Sequence, residues 1–264
     1  MPVSHLLFVF LSSVVAGAIN SVAGGGTLLT FPTLTELIGL PSKVANATNT
    51  MALWPGSLAG VWGFRQTHPP SRKVIVSFVI TSALGAIVGA ALLRQTSENQ
   101  FKAIVPWLIL MAALLFLFQG QIAKRLGFAE AKPESGDAPQ WSGLTWTLAL
   151  FFQFLVGIYG GYFGAGIGII MLAALGCMRM GDIYQMNFLK NFGALAVNFT
   201  AAVLLGVWGM VDWPIAGIMC AGSLLGGFCG AGVAKKIGAQ NLRTAISIYG
   251  FLIAGYMFFK QFVQ

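Results

Sequence analysis

Residues 157–170 read GIYGGYFGAGIGII and lie inside a 38-residue run, Trp141 to Met178, that holds no Asp, Glu, Lys or Arg. As one straight helix that run would be about 57 Å long at the helical rise, against a hydrocarbon core about 30 Å thick. Tilt does not absorb the difference, so the run has to break, and GYFGAG, Gly161 to Gly166, is the place. The same reasoning breaks the charge-free run 1–35 at SVAGGGT, Ser21 to Thr27. Glycine suits a break because it takes backbone angles that other residues avoid. Irregular backbone at membrane depth survives only where protein or a wet cavity satisfies its polar groups. Both breaks are therefore expected to line something.

The rest of the chain agrees with a membrane setting. Of its 264 residues 57% are hydrophobic and only 8% charged, where a soluble domain carries roughly 25% charged residues. Further charge-free runs recur at 44–64, 74–93, 103–123, 191–211, 213–234 and 244–259, most of them near the length of a spanning helix. Alternating strands with a polar lumen face are absent, so the expected fold is an all-α polytopic membrane protein and not a barrel. No Lys or Arg precedes the apolar N-terminal stretch MPVSHLLFVF, which reads as a retained helix and not as a cleaved signal. The three cysteines, Cys177, Cys220 and Cys229, lack CxxC spacing, so neither a disulfide framework nor a zinc site is expected. Acids, His and Cys nowhere combine at metal-ligand spacing. No metal and no cofactor is expected. The net charge of +8 is scattered through short loops, which suits a lipid bilayer as partner and not nucleic acid.

The two halves follow one plan. Gly17, Gly24 and Gly26 recur 140 residues on as Gly157, Gly164 and Gly166. At an offset of 141, Asn46 matches Asn187, Leu84-Gly85 matches Leu225-Gly226, and Gly89-Ala90 matches Gly230-Ala231. This predicts a first transmembrane repeat over 1–119, a polar linker over 120–140 and a second repeat over 141–264. Each repeat is expected to hold a glycine-broken helix pair, spanning or re-entrant, followed by three spanning helices. The segments are 5–21, 26–38, 44–64, 74–94 and 102–119, then 142–160, 166–177, 183–207, 213–234 and 243–262. Either form of the broken pair makes the repeats inverted. Inversion puts ten basic residues on one side and four, Lys43, Arg94, Lys102 and Lys260, on the other, whereas four crossings per half would split them seven to seven. The bias predicts a cytoplasmic linker and both termini outside, in the periplasm. Inverted repeats with matching broken segments are a transporter pattern with the substrate site near the midplane.

Candidate substrate groups follow from spacing. Lys190 is the one charged residue well inside a predicted helix, and Asn187, Lys190, Asn191 and Asn198 share a helix face. Asn46, Asn49, Thr50 and Ser57 repeat that stripe in the first half. After each break a short helix starts whose first amides lack intrahelical partners and attract anions. Backbone around Gly24, Gly25, Gly26 and Thr27 and around Gly164 and Gly166 is thus expected to cradle a small anionic substrate. Lys190 supplies countercharge, and Asn46, Asn49, Thr50, Asn187 and Asn191 supply hydrogen bonds. Tyr159 flanks the second break and is a further candidate contact. Competing readings are that Lys190, seven residues from its helix start, snorkels to the interface, and that the Asn stripes only join helices. The pairs Gly85/Gly89 and Gly226/Gly230 read as helix packing. No acid lies near a helix centre, which disfavours a carboxylate proton relay. GAGIG is no nucleotide loop, since neither a GK[ST] nor a strand accompanies it, and no nucleophile–base pair supports an enzyme.

The two glycine clusters, the proline in GGGTLLTFPTL, the ANATNT segment and the LGxxxGA pattern in both halves resemble the sulfite exporter TauE/SafE family, over nearly the whole chain. The resemblance implies a bacterial inner-membrane carrier of sulfur-containing anions such as sulfite, sulfoacetate or other organosulfonates, commonly assigned to export. An anion channel on the same plan is the alternative expectation, and an intramembrane enzyme a more distant one.

Overall fold

The computed structural model describes residues 2–22, 25–63, 70–125, 143–177, 183–237 and 239–263. Ten α-helices and one π-helical turn account for almost all of them. In the first half these are α1 (Val3–Val22), α2 (Thr27–Pro32) continued by the π-turn Thr33–Leu37, α3 (Ser42–Gly63), α4 (Arg72–Gln95) and α5 (Glu98–Arg125). The second half supplies α6 (Gly143–Tyr162), α7 (Ile167–Cys177), α8 (Ile183–Val207), α9 (Trp213–Ile237) and α10 (Ala239–Val263). Among the described residues, α1, α4, α5, α6, α8 and α10 contain windows long and apolar enough to cross a membrane. The protein is an all-α, multi-pass membrane protein. Residues 120–125, expected in the linker, continue α5; linker residues 126–140 lie outside the described residues.

Both breaks fall where the length argument demands. α1 ends at Val22 and α2 begins at Thr27; α6 ends at Tyr162 and α7 begins at Ile167. Beyond the first break the chain turns back along α1. A Cβ placed on Gly26 would lie 2.5 Å from the Ala16 carbonyl oxygen. A groove on that flank is walled by Phe8, Leu11 and Val15 of α1 and by Leu29, Thr33 and Leu37 of the returning segment. Pro32 sits where α2 passes into the π-turn; proline has no N–H to give to a helical ladder.

Packing partners cross between the halves. α1 lies along α9 and α4 along α6, while α3 packs on both α8 and α9, α4 also on α8, and α5 on α10. Glycine makes these approaches close. A Cβ on Gly157 would stand 2.8 Å from the Ser82 carbonyl oxygen, and one on Gly17 would stand 2.2 Å from that of Ser223. Gly85 and Gly89 abut the Phe154 and Ile158 carbonyls at 2.3 and 2.1 Å by the same measure, and Gly226 abuts the Val14 carbonyl at 1.8 Å. These glycines serve helix contact, as small residues do in membranes where apolar side chains gain nothing over lipid.

One end of the bundle gathers polar groups. The Glu98 carboxylate accepts from the Ser42 amide and, at 3.1 Å, from the Lys43 amide, capping α3. Lys43 Nζ donates to the Arg94 and Thr96 carbonyls at 3.0 and 2.5 Å. The Arg94 guanidinium lies 4.9 Å from the centre of the Trp208 ring. Lys260 pairs with Glu36 at 2.8 Å, and Gln261 Nε2 donates to the Lys102 carbonyl at 2.7 Å. Lys43, Arg94, Lys102 and Lys260 therefore all stand at helix ends joined by these contacts. α3 starts beside Arg94, and α8 finishes next to Trp208 at the same end.

Candidate functional site

A small interior cavity of about 40 Å³ lies where α3, α8 and the second break converge, with Asn20 and Thr27 reaching it from the first break. Thr50, Leu53 and Ser57 of α3 line it, and Lys190, Asn191, Ala194 and Asn198 of α8 face them. Phe163, Gly164, Ile167 and Gly168 form the wall at the second break. Of the expected residues, the cavity brings together Thr27, Thr50, Gly164, Lys190 and Asn191. Lys190 is only 5% exposed, so it does not snorkel. Burying an ionised lysine at a helix centre costs about 2.5–3.5 kcal/mol on insertion scales, and such residues face a bundle interior or a cavity for functional reasons.

The second break presents backbone. Gly164 and Gly166 have φ of +82° and +77°, a region that only glycine enters at little cost. The first bonds within α7 are donated by Ile169 and Ile170 to the Gly166 carbonyl. The amides of Ile167 and Gly168 thus belong to the first turn and have no acceptor within the helix. Three carbonyls around the end of α6 are engaged elsewhere. Tyr159 O accepts from the Phe163 and Gly164 amides, Tyr162 O accepts from Asn46 Nδ2 at 2.9 Å, and Ala165 O accepts from the Tyr159 hydroxyl at 2.6 Å. The first turn of α7 thus lines the cavity through Ile167 and Gly168, while three carbonyls of the break accept bonds from elsewhere.

The first break is built differently from the second. Asn20 Oδ1 accepts from the amides of Gly25 at 3.0 Å and Gly26 at 3.3 Å, so those donors are already spoken for. Neither glycine lines the cavity, and Gly24 lies outside the described residues. The residue matching Asn20 at the repeat offset is Gly160, and a Cβ there would already meet Val197 Cγ1 at 2.6 Å. No side chain can clamp the second break from that position.

Asn46, Asn49, Asn187, Tyr159 and Gly166 stand outside the cavity lining. Asn49 joins α3 to α2, its Nδ2 donating to Thr27 Oγ1 at 3.1 Å and its Oδ1 accepting from the Thr30 hydroxyl. Asn46 ties α3 to the end of α6, and Tyr159 braces the second break from behind. These three are structural ties, as the glue reading of polar stripes has it. Lys190 occupies the position that matches Asn49, but the residues matching Thr27 and Thr30 are Ile167 and Ile170, without hydroxyls. Asn20 is the cavity residue that spacing arguments missed; a lone Asn four residues before a glycine cluster was the available signal. Among the described residues no group of His, Cys, Asp and Glu could hold a metal.

A polytopic helical bundle with a buried lysine and the start of a broken helix lining an interior cavity has the form of a membrane transporter. The chain belongs to the sulfite exporter TauE/SafE family, whose family model matches residues 9–257. It is similar to a "Probable membrane transporter protein" of Haemophilus influenzae, 29% identical over 97% of this chain and 95% of that protein. A second relative, "Probable membrane transporter protein ORF9" of a Sinorhizobium species, is 29% identical over 95% of this chain and 91% of its own length. "Probable membrane transporter protein YfcA" of Escherichia coli (strain K12) is 25% identical over 99% of this chain and 93% of that protein.

Proposed function

We propose that this transporter carries small sulfur oxyanions, sulfite first among them, by alternating access around the cavity at Lys190. The observation that carries the reading is the convergence of a buried lysine with the first-turn amides of α7 in one enclosed space. A fixed positive charge and unopposed backbone donors favour an anion with several acceptor oxygens. A water needs roughly 10–15 Å³ of such space, so the cavity suits a solute of about four heavy atoms better than a long organosulfonate. The bilayer is the second partner. In the bacterial inner membrane the anion's own charge supplies a driving force of about 2.3 kcal/mol per charge per 100 mV, in the direction of export from a negative interior.

The same reading takes the two halves as inverted repeats, with the linker cytoplasmic and both termini periplasmic. Three facts support it: partners exchange between halves, α3 and α8 run in opposite directions, and four basic residues gather where α3 begins. The test is thermal unfolding of the purified protein with sulfite, sulfate, thiosulfate, taurine, sulfoacetate and carboxylate controls. A bound anion stabilises the folded state by RT ln(1 + [L]/Kd), so the shift grows with the logarithm of its concentration. Sulfite should raise the melting temperature and taurine should not; no shift with any sulfur oxyanion would sink the reading.

A further inference from the structure

We propose that Asn20 is a substrate-contacting donor, oriented so that its Nδ2 group meets the oxyanion opposite Lys190. The proposal rests on the anion reading above and adds to it a specificity-determining residue on the first half. A backbone N–H can only donate, so the two bonds from Gly25 and Gly26 fix which end of the Asn20 carboxamide is the oxygen. Asn20 also lines the cavity and is half-buried there. With Oδ1 held by the break, the group left to present is Nδ2, which carries two donors and no acceptor. The neighbouring Thr27 is arranged alike: its Oγ1 accepts from Asn49, so its own proton is left to give. The first half thus offers side-chain donors where the second offers backbone ones. Gly160 and Ile167, the matching residues, have no polar side chain. Together the two halves surround a solute with donors on opposite sides, which selects for anions and against cations and amines.

The test compares wild type with Asn20→Asp and Asn20→Ala by titrating each purified protein with sodium sulfite. Asn20→Asp keeps the acceptor for the Gly25 and Gly26 amides, removes the donor and adds a negative charge; Asn20→Ala removes acceptor and donor without adding charge. A hydrogen bond to a charged group contributes about 1.5–3 kcal/mol, so Asn20→Ala should bind sulfite roughly 10- to 100-fold more weakly than wild type, and Asn20→Asp, whose carboxylate would meet the anion directly, more weakly still. If Asn20 only positioned the break, Asn20→Asp, which keeps the clamp on Gly25 and Gly26, would bind sulfite better than Asn20→Ala. Binding within twofold of wild type by either variant overturns the proposal. Should Asn20→Asp fail to fold, Asn20→Ala alone decides between tenfold loss and none. Absence of sulfite binding by the wild type is the separate outcome that removes the anion reading itself.

Discussion

Asn198 Nδ2 donates to Ser57 Oγ at 3.4 Å, a long contact between residues that are 141 positions apart. That separation is the offset at which the two halves match. The contact lies where α3 and α8 pack against each other. Both residues also line the cavity. The candidate site therefore lies beside this contact, where neither half alone could close it.

Lys190→Ala should leave the protein folded and remove anion-dependent stabilisation. Truncation removes a buried charge and with it a cost of about 2.5–3.5 kcal/mol to the bundle. The variant should melt at or above the wild-type temperature without ligand, and sulfite should no longer raise it. Wild-type sulfite affinity in this variant would take Lys190 out of the site.

Packing glycines should respond according to what a methyl would meet. Gly226→Ala forces a Cβ against the Val14 carbonyl at 1.8 Å, and overpacking of this kind costs about 1–3 kcal/mol or more. Gly255→Ala meets nothing within 4 Å in the middle of α10, where alanine is favoured by about 0.5–1 kcal/mol. Melting in detergent should fall sharply for the first and hold or rise for the second.

Gly166→Ala separates strain from crowding. Its added Cβ would have no neighbour closer than 3.7 Å, but its φ of +77° penalises any side chain. The expected cost is about 1–2 kcal/mol, taken at the break that presents the α7 amides. Sulfite affinity should fall in this variant, while Gly39→Ala, with φ +78° and open space around it, should leave affinity unchanged. Equal affinity losses in the two would argue against a special role for the second break.

Side of the membrane is open to labelling. In a background with Cys177, Cys220 and Cys229 replaced by serine, Val263→Cys should react with an impermeant maleimide from outside intact cells. Glu134→Cys, in the linker, should react only after permeabilisation. Both cysteines reacting from the same face would remove the inverted arrangement.

Much of the fold was legible because two lengths conflict. A 38-residue charge-free run exceeds a bilayer when helical, so the break near Gly161–Gly166 followed from arithmetic, and α7 begins one residue from where that placed it. Lys190 was legible for a related reason: a lone charge deep in an apolar helix has few uses. The site itself was only half legible. Thr27, Thr50, Gly164, Lys190 and Asn191 reach the cavity, yet Asn49, which matches Lys190 in the other half, and Asn46 turn to bonds with Thr27, Thr30 and Tyr162. Spacing along a helix says which residues share a face and nothing of what that face meets.

Composition and periodicity by themselves determined an all-helical membrane protein interrupted at two glycine clusters, because hydrophobic thickness and backbone hydrogen bonding leave a chain in lipid few alternatives. Tertiary structure alone decided that the halves differ in use. The first break spends its Gly25 and Gly26 amides on Asn20, and the second, where Val197 occupies the space beside Gly160, brings Ile167 and Gly168 to the cavity that Lys190 lines. That difference rests on which distant side chain fills which space, and no local pattern in the chain encodes it.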